Sequence, residues 1–281
     1  MKRYFISWDI HSFYDEYLEA LHEAGFERDN PEHILLIDGD IFDRGKKPLE
    51  LYRFLRDFPE DRLILVRGNH EILLRDLIHR GYPESYDVSN GTVKTVEILS
   101  PEITKEMHQR MREYITQGIS LPYCSIYQLR AEYFKKRLHT PLMDEILAWI
   151  LSSRWVDYYE TPHHIFVHAS LPSLFDQLLP QWREIDTEGW YWARWQCPWK
   201  EYIKGILDPE IKMGKTIVVG HWHTADFYNN LDYVGEPKRK LDFQRENPIY
   251  RPEEFPGLIG LDACTVCTHK VNVLVLNEDE I

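Results

Sequence analysis

Five short segments each place metal-binding or phosphate-binding side chains directly behind an apolar run. They are Asp9-Ile10-His11, residues 39–45 with Asp40, Asp43 and Arg44, Gly68-Asn69-His70-Glu71, Val167-His168-Ala169, and Gly220-His221-Trp222-His223. Mixed oxygen and nitrogen donors of this kind suit manganese, iron or zinc better than calcium. There are enough of them for two adjacent ions, and such a pair activates water and stabilises an in-line displacement at phosphorus. Asp40 follows a glycine at the end of an apolar strand, where a lone carboxylate would be costly to bury. Sharing it between two cations removes that cost. His70 has Asp43 nearby to hold its tautomer, the logic of a group that hands a proton to a leaving oxygen. Arg44 offers a planar fork for phosphate oxygens. Each has an ordinary alternative, a structural histidine for His70 and a surface ion pair for Arg44. The ordered set outweighs its parts.

The elements that must present these residues follow from hydrophobic spacing. Residues 2–8, 33–37 and 63–66 read as buried strands, each followed by a helical pattern: 13–24, 48–58 (with Pro48 in the first turn) and 71–79. Three strand–loop–helix units in a row imply parallel strands with chemistry at their carboxyl ends. From about residue 80 to 153 the rhythm breaks into amphipathic helices, for example 102–118 and 141–151, and we expect a helical insertion or cap there rather than a separate domain. Strands are expected again at 155–159, 165–168, 216–219, 258–261 and 271–276. Residues 229–256, rich in charge and proline, read as a surface loop.

With 281 residues, one domain spanning 1–281 can bury a large core. A formal net charge of −13 argues against general nucleic-acid binding, yet not against a phosphate substrate, because bound metals reverse the local sign. No apolar run approaches the roughly 20 residues of a membrane span. The N-terminus reaches Asp9 too soon for a cleavable signal peptide, and four cysteines do not make a disulfide scaffold, so a cytoplasmic location is expected. Cys264 and Cys267 have no second pair to form a zinc site. His163 and His164 are expected to face solvent, and the tryptophans to serve packing.

The ordered set Asp-x-His, Gly-Asp-x-x-Asp-Arg-Gly, Gly-Asn-His-Glu, Val-His-Ala and Gly-His resembles the calcineurin-like metallophosphoesterase superfamily. Its Asp-Arg-Gly and the Glu after Asn-His are similar to the phosphoprotein phosphatase branch, which holds Ser/Thr protein phosphatases and bacterial relatives acting on dinucleoside polyphosphates. The resemblance implies an α/β, α+β fold, a four-layer αββα sandwich of two packed mixed sheets flanked by helices. It implies a first metal on Asp9, His11 and Asp40, and a second on Asp40, Asn69, His168 and His221. Attack on phosphorus would come from a bridging hydroxide while His70, oriented by Asp43, protonates the leaving oxygen. Arg44, Asn69 and, by its aromatic setting, Arg194 would bind phosphate. His223, a ligand of the first metal elsewhere in the superfamily, would serve here either as a metal ligand or as part of the pocket lining. Two departures stand out. Trp8 and Ser12 flank the first motif in place of glycine, so the indole is expected to narrow the site, and Ser170 replaces a glycine. The implied function is a two-metal phosphatase acting on a phosphorylated protein or small molecule. Alternatives are a dinucleoside polyphosphate hydrolase, disfavoured by Asp43, and an inactive metal-binding scaffold.

Overall fold

A computed structural model describes residues 1–117, 123–231, 240–251 and 257–281. The first half runs β1 (Arg3–Trp8), α1 (Tyr14–Glu23), β2 (His33–Asp38), α2 (Pro48–Arg56), β3 (Leu63–Val66) and α3 (Asn69–Arg80). The next stretch supplies α4 (Ser85–Asn90), α5 (Thr92–Leu99), α6 (Pro101–Thr116), α7 (Tyr123–Arg137) and α8 (Pro141–Ile150). Short strands follow: β4 (Trp155–Val156), β5 (Tyr159–Glu160), β6 (His164–Phe166), β7 (Ser173–Leu174) and β8 (Gln177–Leu178). The remainder is α9 (Pro198–Ile203), α10 (Asp208–Lys212), β9 (Thr216–Val219), α11 (Thr224–Asn230), β10 (Leu258–Gly260), α12 (Thr265–Thr268) and β11 (Val273–Asn277). Residue 118, the expected end of one helix, and residues 232–239 and 252–256 of the expected loop lie outside the described residues. Among the described residues no helix is long and apolar enough to cross a membrane.

Two mixed sheets carry the molecule. One has the order β11-β1-β2-β3-β4, the other β10-β9-β6-β5. In the first, β1 to β4 are parallel and β11 is antiparallel; in the second, β10, β9 and β6 are parallel and β5 is antiparallel. Side-chain alternation sorts the strand residues between two faces. Phe5, Leu35, Ile37 and Leu65 turn toward α1, α2, α3, α5 and α8, forming one core with Val96, Leu99, Ile146 and Ile150. Tyr4, Ile6, Trp8, Ile34 and Leu36 turn the other way and meet Phe166, Val218, Ile259 and Leu261 between the sheets. A third cluster, with Trp182, Trp190 and Phe227, covers the outer face of the second sheet. Helix, sheet, sheet and helix are thus stacked as the resemblance implied, and strands buried on both faces explain the continuous apolar runs.

Three local readings need correction. Trp8 lies on the inter-sheet face, buried and tilted against Phe166 at 6.2 Å, so it packs the sheets together and does not narrow the site. The strand expected over 155–159 is two strands in two sheets. The chain crosses between them at Asp157, whose carboxylate accepts from Arg67 (2.8 Å), Thr187 (2.8 Å) and Arg194. His164 is not at the surface. Only 7% of it is exposed, its ring stacks on Phe166, and its Nδ1 has no hydrogen-bond partner among the described residues.

Burial, with Arg251 and His163 adding to it, pushes the His164 pKa from 6.5 down to about 4. A base whose folded pKa is depressed takes up its proton preferentially when unfolded. Stability should therefore fall as pH drops from 6.5 toward 4, and His164→Phe should lose less over that window in urea melts. An equal loss in both proteins would contradict the assignment.

Candidate metal centre

Every donor singled out in the sequence except Arg194 arrives at one edge, where parallel strands of both sheets end. Asp9 and His11 follow β1, Asp40 to Arg44 follow β2, and Asn69 and His70 open α3 behind β3. His168 follows β6 and His221 and His223 follow β9. The turns that do this are strained. Asp9, His11, Asp40, Asp43, Arg44 and His221 all have positive φ, between 49° and 70°, a conformation that costs non-glycine residues energy and clusters at functional sites. Two glycines make the close approach possible. A Cβ on Gly68 would fall on the Asp40 carboxylate and amide, and one on Gly220 would fall on Trp8 and Asp9.

Asp40 is the hub. Its donor atoms lie within 4.8 Å of those of His11 and His70 on one side, and of His168 and His221 on the other. Glu71 supports the turn by accepting the amides of Asp40 (2.9 Å), Ile41 (3.0 Å) and Gly68 (3.0 Å). His11 Nδ1 donates to the Phe42 carbonyl (3.1 Å), which leaves Nε2 free and facing Asp40. His168 Nδ1 donates to the Asp38 carbonyl (3.4 Å), so the lone pair of Nε2 faces Asn69 Oδ1 at 2.8 Å and Asp40 Oδ1 at 3.5 Å. Three lone pairs converging without a proton between them are what a cation would satisfy. Fixing the outer ring nitrogen on a carbonyl is also how metal-binding histidines are oriented.

Electrostatics agree. Burial, then Asp262 and Asp40, holds the Asp9 carboxyl well above the usual range; burial, then Asp40 and Glu71, does the same for Asp38. Burial pushes His11 and His168 down, and burial with His168 takes His221 down to about 3. Burial also opposes ionisation of Asp40, yet the imidazoles of His168, His70, His11 and His221 hold it below the carboxylate range. Crowded acids beside neutral imidazoles form a set that cations complete. A small cavity of about 40 Å³ opens here, lined by Asp9, His11, Asp40, Arg44, His221 and Asp262 among others.

Beside this cluster, His70 Nδ1 sits 2.6 Å from Asp43 Oδ2, and its Nε2 faces Asp40 Oδ2 (3.7 Å) and the exposed Arg44 guanidinium (3.4 Å). Burial works against a charged His70, but Asp40 and then the Asp43 hydrogen bond outweigh it and raise its pKa.

With this geometry in hand, likeness to known proteins can be read. The calcineurin-like phosphoesterase family model matches residues 4–249. The chain belongs to that family. Members of this family are metal-dependent phosphoester hydrolases that use divalent metal ions. A stretch of 74 residues, 26% of this chain, is 35% identical to the symmetrical bis(5'-nucleosyl)-tetraphosphatase of Buchnera aphidicola subsp. Baizongia pistaciae (strain Bp); it spans only 25% of that protein. Among solved structures, the cold-active protein-tyrosine phosphatase of a psychrophilic Shewanella species aligns over 99% of this chain and 76% of its own, at 15% identity and a TM-score of 0.55. A metallophosphoesterase from Sphaerobacter thermophilus aligns over 99% and 84% at 15% identity, with a TM-score of 0.48. At 15% identity the likeness to the Shewanella phosphatase is one of fold.

Several residues of this phosphoesterase sit differently from their expected roles. Asp9 lines the cavity but stands outside both tight donor groups, its Oδ2 accepting the His221 amide (2.8 Å); His70 holds the corner expected for it. His223 is at the rim, with Nδ1 3.1 Å from Asp262 Oδ2 and Nε2 3.5 Å from Cys264 Sγ, and joins neither group. Arg194 does not line the cavity; its charge is felt by Asp38 and His168, but its guanidinium is taken up by other groups of the protein. It is 2% exposed and donates to the Arg67 carbonyl (3.3 Å), the Thr187 carbonyl (3.1 Å) and Asp157. It is a buried strut at the crossing between the sheets. Missed in the sequence were Asp38, Asp262, Thr92 and Thr95. Asp262, two residues past β10, could have been found by the strand-end rule that found the others.

Removing one member of a buried ion pair strands the other, at a cost of about 3–5 kcal/mol. Arg194→Gln should therefore lower the urea midpoint clearly while leaving KM for a phosphate ester within about 2-fold of the parent, since a group that touches no substrate alters no uniform binding. A large KM increase in a protein of undiminished stability would restore the phosphate-binding role.

Proposed function

We propose that this enzyme hydrolyses phosphomonoesters of alcohols, with two divalent cations held by His11, Asp40, Asn69, His168 and His221, and with Asp9 and His223 completing the pocket. The observation that carries the reading is the His70–Asp43 pair at 2.6 Å. An alkoxide is a poor leaving group and needs a proton as the ester bond breaks, whereas the phosphate expelled from an anhydride does not. A buried, oriented imidazole on the substrate side of the donor cluster is therefore more useful to a monoesterase than to an anhydride hydrolase. Bound cations would supply the polarisation of water and the neutralisation of phosphoryl charge. The protein's own part is positional. Arg44, exposed at the mouth, would clasp phosphate oxygens; Asp43 would keep the Nδ1 proton in place; His70 would pass its Nε2 proton to the departing oxygen. Manganese is the cation we would reconstitute with first, and iron or zinc fit the same donors. Among the described residues Cys197, Cys264 and Cys267 are free thiols, which suits a reducing cytoplasm.

The likeness of 74 residues to a bis(5'-nucleosyl)-tetraphosphatase favours a second reading, cleavage of a dinucleoside polyphosphate at an anhydride bond. Leaving-group dependence separates the two. With manganese-loaded protein, His70→Asn should slow an alkyl phosphate such as phosphoserine about 100- to 10,000-fold. The same change should slow p-nitrophenyl phosphate, whose phenolate leaves without help, less than about 10-fold. Equal losses on both substrates, or parent activity confined to diadenosine tetraphosphate, would sink the monoesterase reading.

A further inference from the structure

The carboxylate behind His70 is held by the inserted helices. Asp43 is completely buried and has no access to water. Its Oδ2 accepts from His70 Nδ1 and from the Thr92 hydroxyl at 2.7 Å, and its Oδ1 accepts from the Thr95 hydroxyl at 2.6 Å. Thr92 and Thr95 are three apart, so they share one face of α5, and both are buried. The same face continues through Val96 and Leu99 into the core of the first sheet, which fixes the helix against α2 and α3. The preceding residue, Gly91, closes on the loop as well, since a Cβ there would lie 3.0 Å from the Arg44 amide. The loop so gripped contains two consecutive non-glycine residues with positive φ, Asp43 (70°) and Arg44 (63°).

We propose that Thr92 and Thr95 are positioning residues for the reaction, forming a two-hydroxyl clamp that fixes the Asp43 carboxylate and through it the ring of His70. The inference rests on the general-acid role given to His70 above. With both carboxylate oxygens taken, rotation of Asp43 about its last bond breaks at least one short hydrogen bond, so His70 has a single partner geometry and a single tautomer. Without the hydroxyls, the buried carboxylate keeps only His70 as a side-chain partner among the described residues. The imidazole then follows a carboxylate free to turn, and its Nε2 no longer points steadily at the leaving oxygen. Supporting partners one step removed from the chemistry act this way, with typical losses of about 10- to 100-fold. The insertion is thus half of the acid's mounting. The plainer alternative is that the hydroxyls only solvate a buried charge so that the chain can fold.

The two ideas differ in what a variant does to different leaving groups. Thr92→Val with Thr95→Val keeps side-chain shape and removes both donors; Thr92→Ser with Thr95→Ser keeps the donors. In manganese-loaded protein the valine pair should lower kcat on phosphoserine about 10- to 100-fold, with p-nitrophenyl phosphate changed less than about 3-fold. The serine pair should restore the phosphoserine rate. If the valine pair does not fold, the two single valine variants are read in its place. Equal losses on both substrates, or none on phosphoserine, would overturn the clamp. His70→Asn run alongside keeps the ideas apart: if it discriminates between the substrates and the valine variants do not, the clamp alone is wrong. If His70→Asn itself fails to discriminate, the general-acid reading is what falls.

Discussion

Burying the Asp40 carboxylate at the seam between two sheets is the constraint from which the rest of the site follows. Four imidazoles from four segments of the chain surround it, and bound cations would make such a collection of buried acids and imidazoles comfortable without water. To bring the loops together, the strands of both sheets must end at one edge and approach closely. Gly220 allows this by leaving room for Trp8 and Asp9, and Gly68 by leaving room for Asp40 itself. The cost appears as positive φ at six of the side chains that reach the site. The inter-sheet layer of Ile6, Trp8, Phe166 and Val218 holds the geometry against that strain.

Around the hub the protein uses hydrogen bonds to fix orientation rather than to add stability. Glu71 draws three amides toward one carboxylate and shapes the turn that carries Asp40. The Asp9 carboxylate accepts the His221 amide, tying the first sheet to the second across the site. Asp262 sits beside Asp9 and His223 and brings β10 into the same cluster. Farther back, Asp157 binds Arg67 and Arg194 where the chain changes sheets, so the crossing point is itself an ion-pair hub. Each of these ties joins segments far apart in sequence, which is how a site of many loops acquires one geometry.

That distance also explains what could be read from the sequence and what could not. The strand-then-ligand pattern of β1, β2, β3, β6 and β9 was legible because apolar runs end abruptly in residues that bind metals, and because parallel strands put chemistry at their ends. The His70–Asp43 pairing was legible from residue types. Arg194 was not, because an arginine among tryptophans looks alike whether it faces a phosphate or a buried aspartate, and Asp157 lies 37 residues away. Trp8 was misread because proximity to Asp9 in sequence says nothing of the face; alternation with Tyr4 and Ile6 sends it between the sheets. Thr92 and Thr95 left no signal, since two hydroxyls at helical spacing acquire meaning only when another element brings a carboxylate to them. Two-residue strands such as β4 and β5 carry too little pattern to be told from one longer strand.

The most direct test of this account is the metal content of the parent and of Asp40→Asn, measured by elemental analysis after dialysis against manganese. A shared hub predicts two ions per chain in the parent and loss of both in the variant. One ion in the parent, or a variant that keeps the full complement, would show that Asp40 does not join two cations and that the donors around it serve another purpose.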